Sequence, residues 1–363
     1  MYFLKVAIVD SYFSVVDVEL QKALNLAGLD TYVITSNLRH YQYKKTTMQF
    51  DNEFNKQIQL KTHEFPIAGL NLYFPFPITP DLTKTIKQME FDVVQTTEHV
   101  STPSFWCNFR KENWKTVLIE RGGEWKGIVS KFGIHDLLAK KFILPKVDLF
   151  ASLSSHAAEY LRFLGCTKNI TNIPNPIDIK FFSLVTPWNE RKNVILFVGR
   201  LTKLRYLDTL ILAMPIVRRK IPDSELWIMG DGNDRDYFFN LAAGKEYIKF
   251  LGSKKRSELP LYYNQAKVNV TLSDRRLAGI GLATEEAMAC GVPIVGSETL
   301  PFDESKKLFY FACKPQPESI ADNIIRCTLE GEQYSRMARV VAENTYSYKA
   351  VGDSYKKMIS SLQ

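Results

Sequence analysis

Two doubly wound parallel α/β sheets, each flanked by helices, are the fold class this sequence predicts, and three observations predict it. Short apolar runs alternate with stretches of helical periodicity, the pattern of βαβ units rather than of hairpins. That alternation starts twice, near residue 5 and again near residue 194, with a polar stretch over 186–193 between the two series. At 363 residues the chain exceeds what one ordinary hydrophobic core serves, so two domains are expected.

In the first series, residues 5–9 (Lys-Val-Ala-Ile-Val) read as a buried strand. Val16, Leu20, Ala23, Leu24 and Ala27 then recur at helical spacing, and Gly28 supplies the stop. Residues 31–35 are the next strand. The segment 37–80 is polar and aromatic and ends among Pro75, Pro77 and Pro80, so irregular structure is expected there. Residues 91–95, 115–119 and 148–153 supply three more strands, and 172–178 close the series. Ligands of such a sheet gather at the C-terminal ends of its strands. Here those ends carry Asp10-Ser11-Tyr12, Thr97-Glu98-His99 and Glu120-Arg121-Gly122, residue types that serve turns as often as chemistry.

The second series opens with a strand over 194–199, followed by Arg200, Lys203 and Arg205 and a helix over 207–219. A strand over 226–230 runs into Gly230-Asp-Gly232. This is half of a dinucleotide fingerprint, but Arg235 holds the third glycine position, so a nicotinamide dinucleotide is not expected. Residues 247–251 lead into Gly252-Ser253-Lys254, and 268–272 precede the stretch on which the reading turns. There Gly279 and Gly281 open a helix of good formers over 282–290, Gly291 stops it, and a strand begins at Pro293. A glycine loop feeding a helix N-terminus offers free amides and the positive end of the dipole, which suit phosphate. Glu285 and Glu286 lie in the first turn, where carboxylates are favoured and can accept sugar hydroxyls. If Arg200, Lys203 and Arg205 meet that loop, a diphosphate can be held without a metal. Taken alone, three basic residues more often make a solvated turn.

Composition narrows the partners. A net charge of +8 points to an anionic ligand or surface. The lysines are spread rather than striped and no nucleic-acid-binding motif is present, so nucleic acid is not expected. The five cysteines are scattered without Cys-x-x-Cys spacing, which indicates neither disulfides nor a metal site and suits a cytoplasmic protein. The N-terminal apolar run is too short for a signal peptide, and no stretch is long enough to span a membrane.

The motifs together resemble retaining glycosyltransferase family 4, the glycosyl transferases group 1 of GT-B fold. The likeness is carried by the run at Asp92-Val-Val, Ser152-Leu-Ser-Ser155, Ile173-Pro-Asn-Pro-Ile-Asp178 and Val198-Gly-Arg-Leu201. It continues through Gly230-Asp-Gly232, Phe250-Leu-Gly252, Glu286-Ala-Met-Ala-Cys-Gly-Val-Pro-Ile-Val295 and Tyr346-Ser-Tyr348. The resemblance implies two Rossmann-like domains facing across a cleft: residues 1–186 for the acceptor, 187–345 for the donor, and a helix over 346–363 crossing back onto the first domain. It implies a nucleotide-diphosphate sugar as donor substrate, no cofactor and no metal. Arg200 and Arg205 would bind the diphosphate with Lys203 beside them, and Gly279, Ile280, Gly281 and Leu282 would line it. Glu286 would grip the ribose, while Gly230, Ser253 and Lys254 would border the nucleotide. Asp10, Ser11, His99 and Arg121 would face the acceptor, with His99 counted beside Arg200 and Arg205 as catalytic.

Three positions depart from the family pattern. Ala278 stands where the first glutamate of the paired-glutamate motif belongs, Tyr12-Phe-Ser14 replaces a glycine-rich loop, and Arg121 replaces a histidine. The reading is therefore sugar transfer to a glycan, lipid-linked or small-molecule acceptor, with a weak or catalytically silent nucleotide-sugar binder as the alternative. An epimerase lacks a supporting acid–base cluster. Lysines 126, 131, 140, 141 and 146 alternate with apolar residues over 126–146. This pattern fits either a basic amphipathic helix resting on an anionic membrane surface or a helix packed on its own sheet with its lysines in solvent.

Overall fold

The computed structural model describes residues 4–10, 14–36, 56–60, 81–121, 134–273, 279–301 and 309–362. They fall into two units, Met1–Pro176 with Tyr348–Gln363, and Ile177–Ser347.

The first unit contains β1 (Lys5–Val9), α1 (Val15–Leu26), β2 (Asp30–Ser36), β3 (Gln57–Leu60), α2 (Leu82–Gln88) and β4 (Val93–Thr97). It continues with α3 (Thr102–Phe109), β5 (Lys115–Glu120), α4 (Ile134–Leu138), β6 (Leu149–Ser152), α5 (Ser155–Phe163) and β7 (Ile170–Asn172). Among the described residues these strands form one parallel sheet in the order β3-β2-β1-β4-β5-β6-β7. Both faces of its centre are covered, which is why β1 reads as an almost unbroken apolar run. Val6, Ile8, Val117 and Ile119 pack with Leu20 and Leu24 of α1. Ala7, Val9 and Val94 pack on the opposite side with Ile86 of α2 and Trp114. A reciprocal cap starts α1: the Ser14 hydroxyl accepts the Asp17 amide at 3.3 Å, and the Asp17 carboxylate accepts the Ser14 amide at 3.2 Å.

The second unit holds β8 (Val194–Val198), α6 (Leu207–Lys220), β9 (Glu225–Met229), α7 (Arg235–Leu241), β10 (Ile248–Gly252) and α8 (Leu259–Tyr263). It ends with β11 (Ala266–Thr271), α9 (Leu282–Ala289), β12 (Ile294–Ser297), β13 (Tyr310–Cys313), α10 (Pro317–Glu330) and α11 (Glu332–Tyr346). Its strands are again parallel, in the order β10-β9-β8-β11-β12-β13. One face packs on α6 and α10 through Leu210, Met214, Val217, Ile320 and Ile324. The other packs on α9 and α11 through Ala287, Met288, Ala338 and Ala342. The last helix, α12 (Tyr348–Ser360), belongs to the first unit and lies on α1. A Cβ at Gly352 would stand 2.4 Å from the Ala23 carbonyl, so the two helix backbones approach this closely only because residue 352 lacks one.

Several expectations need correction. The irregular stretch expected over 37–80 contains β3, a short strand of alternating polar residues at the sheet edge. The boundary expected at 186/187 lies at 176/177, and the last helix begins at Tyr348 rather than 346. The polar stretch 186–193 between the two series belongs to the second unit, and its Arg191 is buried. Its guanidinium donates to the carbonyls of Thr186, Ala266, Cys290 and Gly291 at 2.7–3.1 Å. Residues 126–133 of the expected 126–146 helix lie outside the described residues. The remainder is broken into α4, a π-helical turn (Ala139–Ile143) and a 3-10 turn (Leu144–Lys146). Pro145 cannot donate to a helical ladder and restrains Leu144, so a long helix ends there.

Candidate functional site

Strand order reverses between β8 and β11 in the second sheet, so the loops after these adjacent parallel strands leave the same edge side by side. The β8 loop carries Arg200 and Lys203, both exposed, and Arg205, half-buried, while Leu201 between them is fixed in the core. This loop is laced to the one after β9. Gly199 donates to the Met229 carbonyl at 3.0 Å, Leu201 to Asp231 at 3.0 Å, and the Lys203 amide to the Asp234 carboxylate at 2.8 Å. The Lys203 ammonium lies 4.4 Å from the Tyr237 ring centroid. Gly230, expected to border the donor, has a packing reason to be glycine: its φ is +131° and a Cβ would stand 1.9 Å from the Gly199 carbonyl oxygen.

On the other side of the reversal, the β11 loop enters α9 through Gly281, whose φ of +87° suits glycine and beside which a Cβ would meet nothing within 4 Å. Ile280 is buried in the core, so this loop offers its backbone. The first amides of α9 follow Gly281 directly, at the positive end of the helix. The first turn is fastened to β11 by Thr284 and Thr271, whose hydroxyls are 2.8 Å apart. At the other end, Arg191 and Arg339 donate to carbonyls of Ala289, Cys290 and Gly291. Two guanidiniums therefore satisfy the carbonyl end of the helix whose amide end faces the expected donor. Burial lowers the Arg191 pKa to about 10, still cationic at neutral pH.

Glu285 and Glu286 are both 3% exposed, so each carboxylate is largely enclosed by the protein rather than open in the first turn. Glu286 accepts from the Arg256 Nε at 2.8 Å, and the Tyr263 hydroxyl stands 3.5 Å from its second oxygen. Ser253 is exposed, and the half-buried Lys254 lies 5.5 Å from the Tyr262 ring centroid.

In the first sheet the order reverses between β1 and β4. Asp10 follows β1, Glu98 and His99 follow β4, and Arg121 follows β5. The Arg121 guanidinium donates to Asp17 at 2.7 Å and pairs with Asp10 at 3.5 Å. Burial opposes its charge, but the two aspartates overcome burial and raise its pKa. His99, 1% exposed, is held at both ring nitrogens: Nδ1 is 2.7 Å from Glu120 and Nε2 is 3.0 Å from Asp136. The Tyr160 hydroxyl donates to the other Asp136 oxygen at 3.1 Å. Burial alone would lower the His99 pKa; Glu120 and then Asp136 outweigh it and push it up to about 10. Both ring nitrogens of His99 are therefore engaged by carboxylates within the protein, rather than open towards an acceptor as expected.

Glu98 was not singled out from the sequence. Its φ is +60°, a left-handed conformation costly for a residue with a Cβ. Its backbone is fixed by Glu98 N–H to Ile119 O at 2.9 Å and by the Ser104 hydroxyl to Glu98 O at 2.6 Å. Burial, then Glu120, pushes its carboxyl up to about 7 against the pull of His99 and Arg121. Arg256 was also missed, since only its partner Glu286 belongs to a recognisable motif. Ser11 and Ala278 lie outside the described residues. Among the described residues, no cluster of three or more His, Cys, Asp or Glu side chains is arranged to hold a metal.

The sequence profile of the family described as glycosyl transferases group 1 matches residues 178–343, within the second unit. A GDP-mannose-dependent monoacylated alpha-(1-6)-phosphatidylinositol monomannoside mannosyltransferase of Corynebacterium glutamicum is 26% identical over 168 residues, 41% of this chain and 44% of that protein. A GDP-mannose-dependent alpha-(1-6)-phosphatidylinositol monomannoside mannosyltransferase of Mycolicibacterium smegmatis is 32% identical over 114 residues, 29% and 30% of the two chains. The chain thus spans less than half the length of these curated relatives. Among solved structures, Anabaena HepE in complex with UDP superposes with a TM-score of 0.77 at 13% identity, covering 99% of this chain and 100% of that one. Sucrose-phosphate synthase of Thermosynechococcus elongatus gives 0.73 at 17% identity, covering 99% of each chain. At such identities these two likenesses establish the fold alone.

Proposed function

We propose that this chain, a group 1 glycosyltransferase of GT-B fold, transfers a sugar from a nucleoside-diphosphate donor with retention of anomeric configuration and without a metal. The observation that carries this reading is the reversal point of the second sheet, where a basic loop and a glycine-opened helix N-terminus leave adjacent strands. Arg200 and Arg205, with Lys203 beside them, clasp the diphosphate, and the backbone of Gly279, Ile280, Gly281 and Leu282 lines it. Glu286 receives the ribose hydroxyls, and Ser253 and Lys254 border the base. As the bond from the anomeric carbon to the phosphate oxygen breaks, the acceptor oxygen bonds that carbon on the same face. The acceptor's proton passes to the departing phosphate, whose growing charge is stabilised by the guanidiniums and the α9 amides.

The first unit supplies the acceptor side, through Asp10, Arg121 and the carboxylate of Glu98. A lipid-linked acceptor at an anionic membrane surface is supported by Leu137 and Leu138, exposed beside the exposed Lys140 and Lys141. No helix among the described residues is long and apolar enough to cross a membrane. Sedimentation with anionic vesicles, but not with neutral ones, is the expected outcome; equal recovery with both removes the membrane contact.

Ala278 favours a second reading, a nucleotide-sugar binder without transfer, because a charged hydrogen bond to the donor sugar worth about 1.5–3 kcal/mol is missing. A thermal-shift screen of UDP- and GDP-sugars, followed by a hydrolysis assay of whichever binds, separates the two. Stabilisation with turnover supports transfer, stabilisation without turnover supports the silent binder, and no stabilisation by any nucleotide sugar refutes both.

A further inference from the structure

Glu286 is the residue expected to receive the donor ribose, and each of its carboxylate oxygens meets a side chain from outside its own helix. The residues that follow it in α9, Ala287, Met288 and Ala289, are buried and small or apolar. Arg256, in the 3-10 turn after β10, reaches Oε1 with Nε at 2.8 Å, and Tyr263 at the end of α8 faces Oε2 at 3.5 Å. The guanidinium is itself seated: its carbon lies 5.1 Å from the centroid of the Phe182 ring, and Phe182 is wholly buried. Arg256 is thus a planar cation held on an aromatic floor, with one edge turned to a carboxylate whose side chain is only 4% exposed.

We infer that Arg256 is a positioning residue that fixes the Glu286 carboxylate for recognition of the donor ribose, and so sets the preference for ribonucleotides over 2′-deoxyribonucleotides. The inference rests on the donor reading above and goes beyond it by naming what the carboxylate depends on. A carboxylate buried to this degree needs a charged partner and an anchor to hold its rotamer, and Arg256 supplies both. Without it the carboxylate loses its fixed direction, and hydroxyl recognition, which depends on direction, is lost first. Arginine suits the role better than lysine because its flat guanidinium stacks on Phe182 while presenting N–H groups in its own plane.

The test compares binding of UDP and GDP with their 2′-deoxy forms by calorimetry, for the native chain and for Arg256→Gln, Arg256→Lys and Glu286→Gln, with thermal unfolding of each variant as the check on folding. The native chain is expected to prefer the ribonucleotide by roughly tenfold or more, as for a hydrogen bond to a charged acceptor. Arg256→Gln should erase that preference, Arg256→Lys should restore part of it, and Arg256→Gln combined with Glu286→Gln should lose no more than either alone. Any hydrolysis of the bound nucleotide sugar should change in KM more than in kcat. An intact preference in Arg256→Gln, equal weakening of both nucleotide forms, or additive losses in the double variant would overturn the role. If Arg256→Gln does not fold, Arg256→Lys decides, and a full native preference in that variant counts against directional positioning. A native chain that binds neither UDP nor GDP refutes the donor reading itself, whereas normal binding with an unaltered preference refutes only the role of Arg256.

Discussion

At the reversal point of the first sheet, Asp10, Asp17, Glu120 and Asp136 pair with His99 and Arg121 at 2.7–3.5 Å, and Glu98 feels the charges of Glu120, His99 and Arg121. At the corresponding point of the second sheet stand two glycine-containing loops, with Arg200 and Lys203 exposed and helix amides beyond Gly281. The strand order around the two points is the same, but their electrostatics are not. In the first sheet both cations are paired inside the protein and fix its geometry, while the carboxylates outnumber them. In the second, Arg200 and Lys203 are exposed on a loop whose backbone is tied to the one after β9, a setting that suits an incoming anion. One topology has been given a stiff acidic edge and a receptive basic one.

The sharpest way to break this contrast is through the glycines. Gly230→Ala drives a methyl group against the Gly199 carbonyl and should cost about 3 kcal/mol or more, collapsing the basic edge. Gly281→Ala meets open space and should cost only about 1–2 kcal/mol from its positive φ, yet weaken nucleotide binding more than folding. Chemical denaturation paired with nucleotide titration distinguishes them. Equal stability losses would mean that the two loops are not built as described.

The acidic edge should respond next. Arg121→Met leaves Asp17, buried at 0% exposure, without its guanidinium, and the loss should approach about 3–5 kcal/mol by urea unfolding. A loss below about 1 kcal/mol would make the network ornamental.

The pH dependence carries a sign. His99 binds its proton more tightly when folded, so its contribution is complete below the unfolded value near 6.5 and disappears as pH rises towards about 10. Glu98, raised to about 7, acts in the same direction over a lower window, from its unfolded value near 4.5 upward. Stability should therefore fall from pH 7 to 10 in the native chain and fall less steeply in His99→Gln. An identical slope in the two proteins contradicts the clamped imidazolium.

The smallest effect has the opposite sign. Glu98→Gly relieves a left-handed backbone and should raise stability by about 1 kcal/mol. No gain would mean that the conformation is not strained.

Much of this frame could be read from residue order alone. Strands such as β1 and β8 are largely continuous apolar runs because helices cover both of their faces. β3 escaped notice because Gln-Ile-Gln-Leu is short, half polar and paired on one side only. The chemistry of the edges was less legible. Gly230 resembles part of a nucleotide fingerprint, but its lack of a side chain is required by Gly199, some 30 positions away in sequence. The carboxylates that hold His99 are not legible beside it in the sequence because Glu120 and Asp136 reach it from other elements. Arg191 looked like linker because the carbonyls it binds belong to the far end of α9 and to β11. Local pattern identifies which strand a residue follows; it does not reveal which charges the fold brings to it.

The central claim is that the basic edge of the second sheet clasps a pyrophosphate. Calorimetric titration of UDP and GDP into the native chain and into Arg200→Ala tests it most directly. The account predicts that the nucleotide bound by the native chain loses at least roughly tenfold in affinity in the variant, with unfolding unchanged. Equal affinity in the two proteins would contradict it.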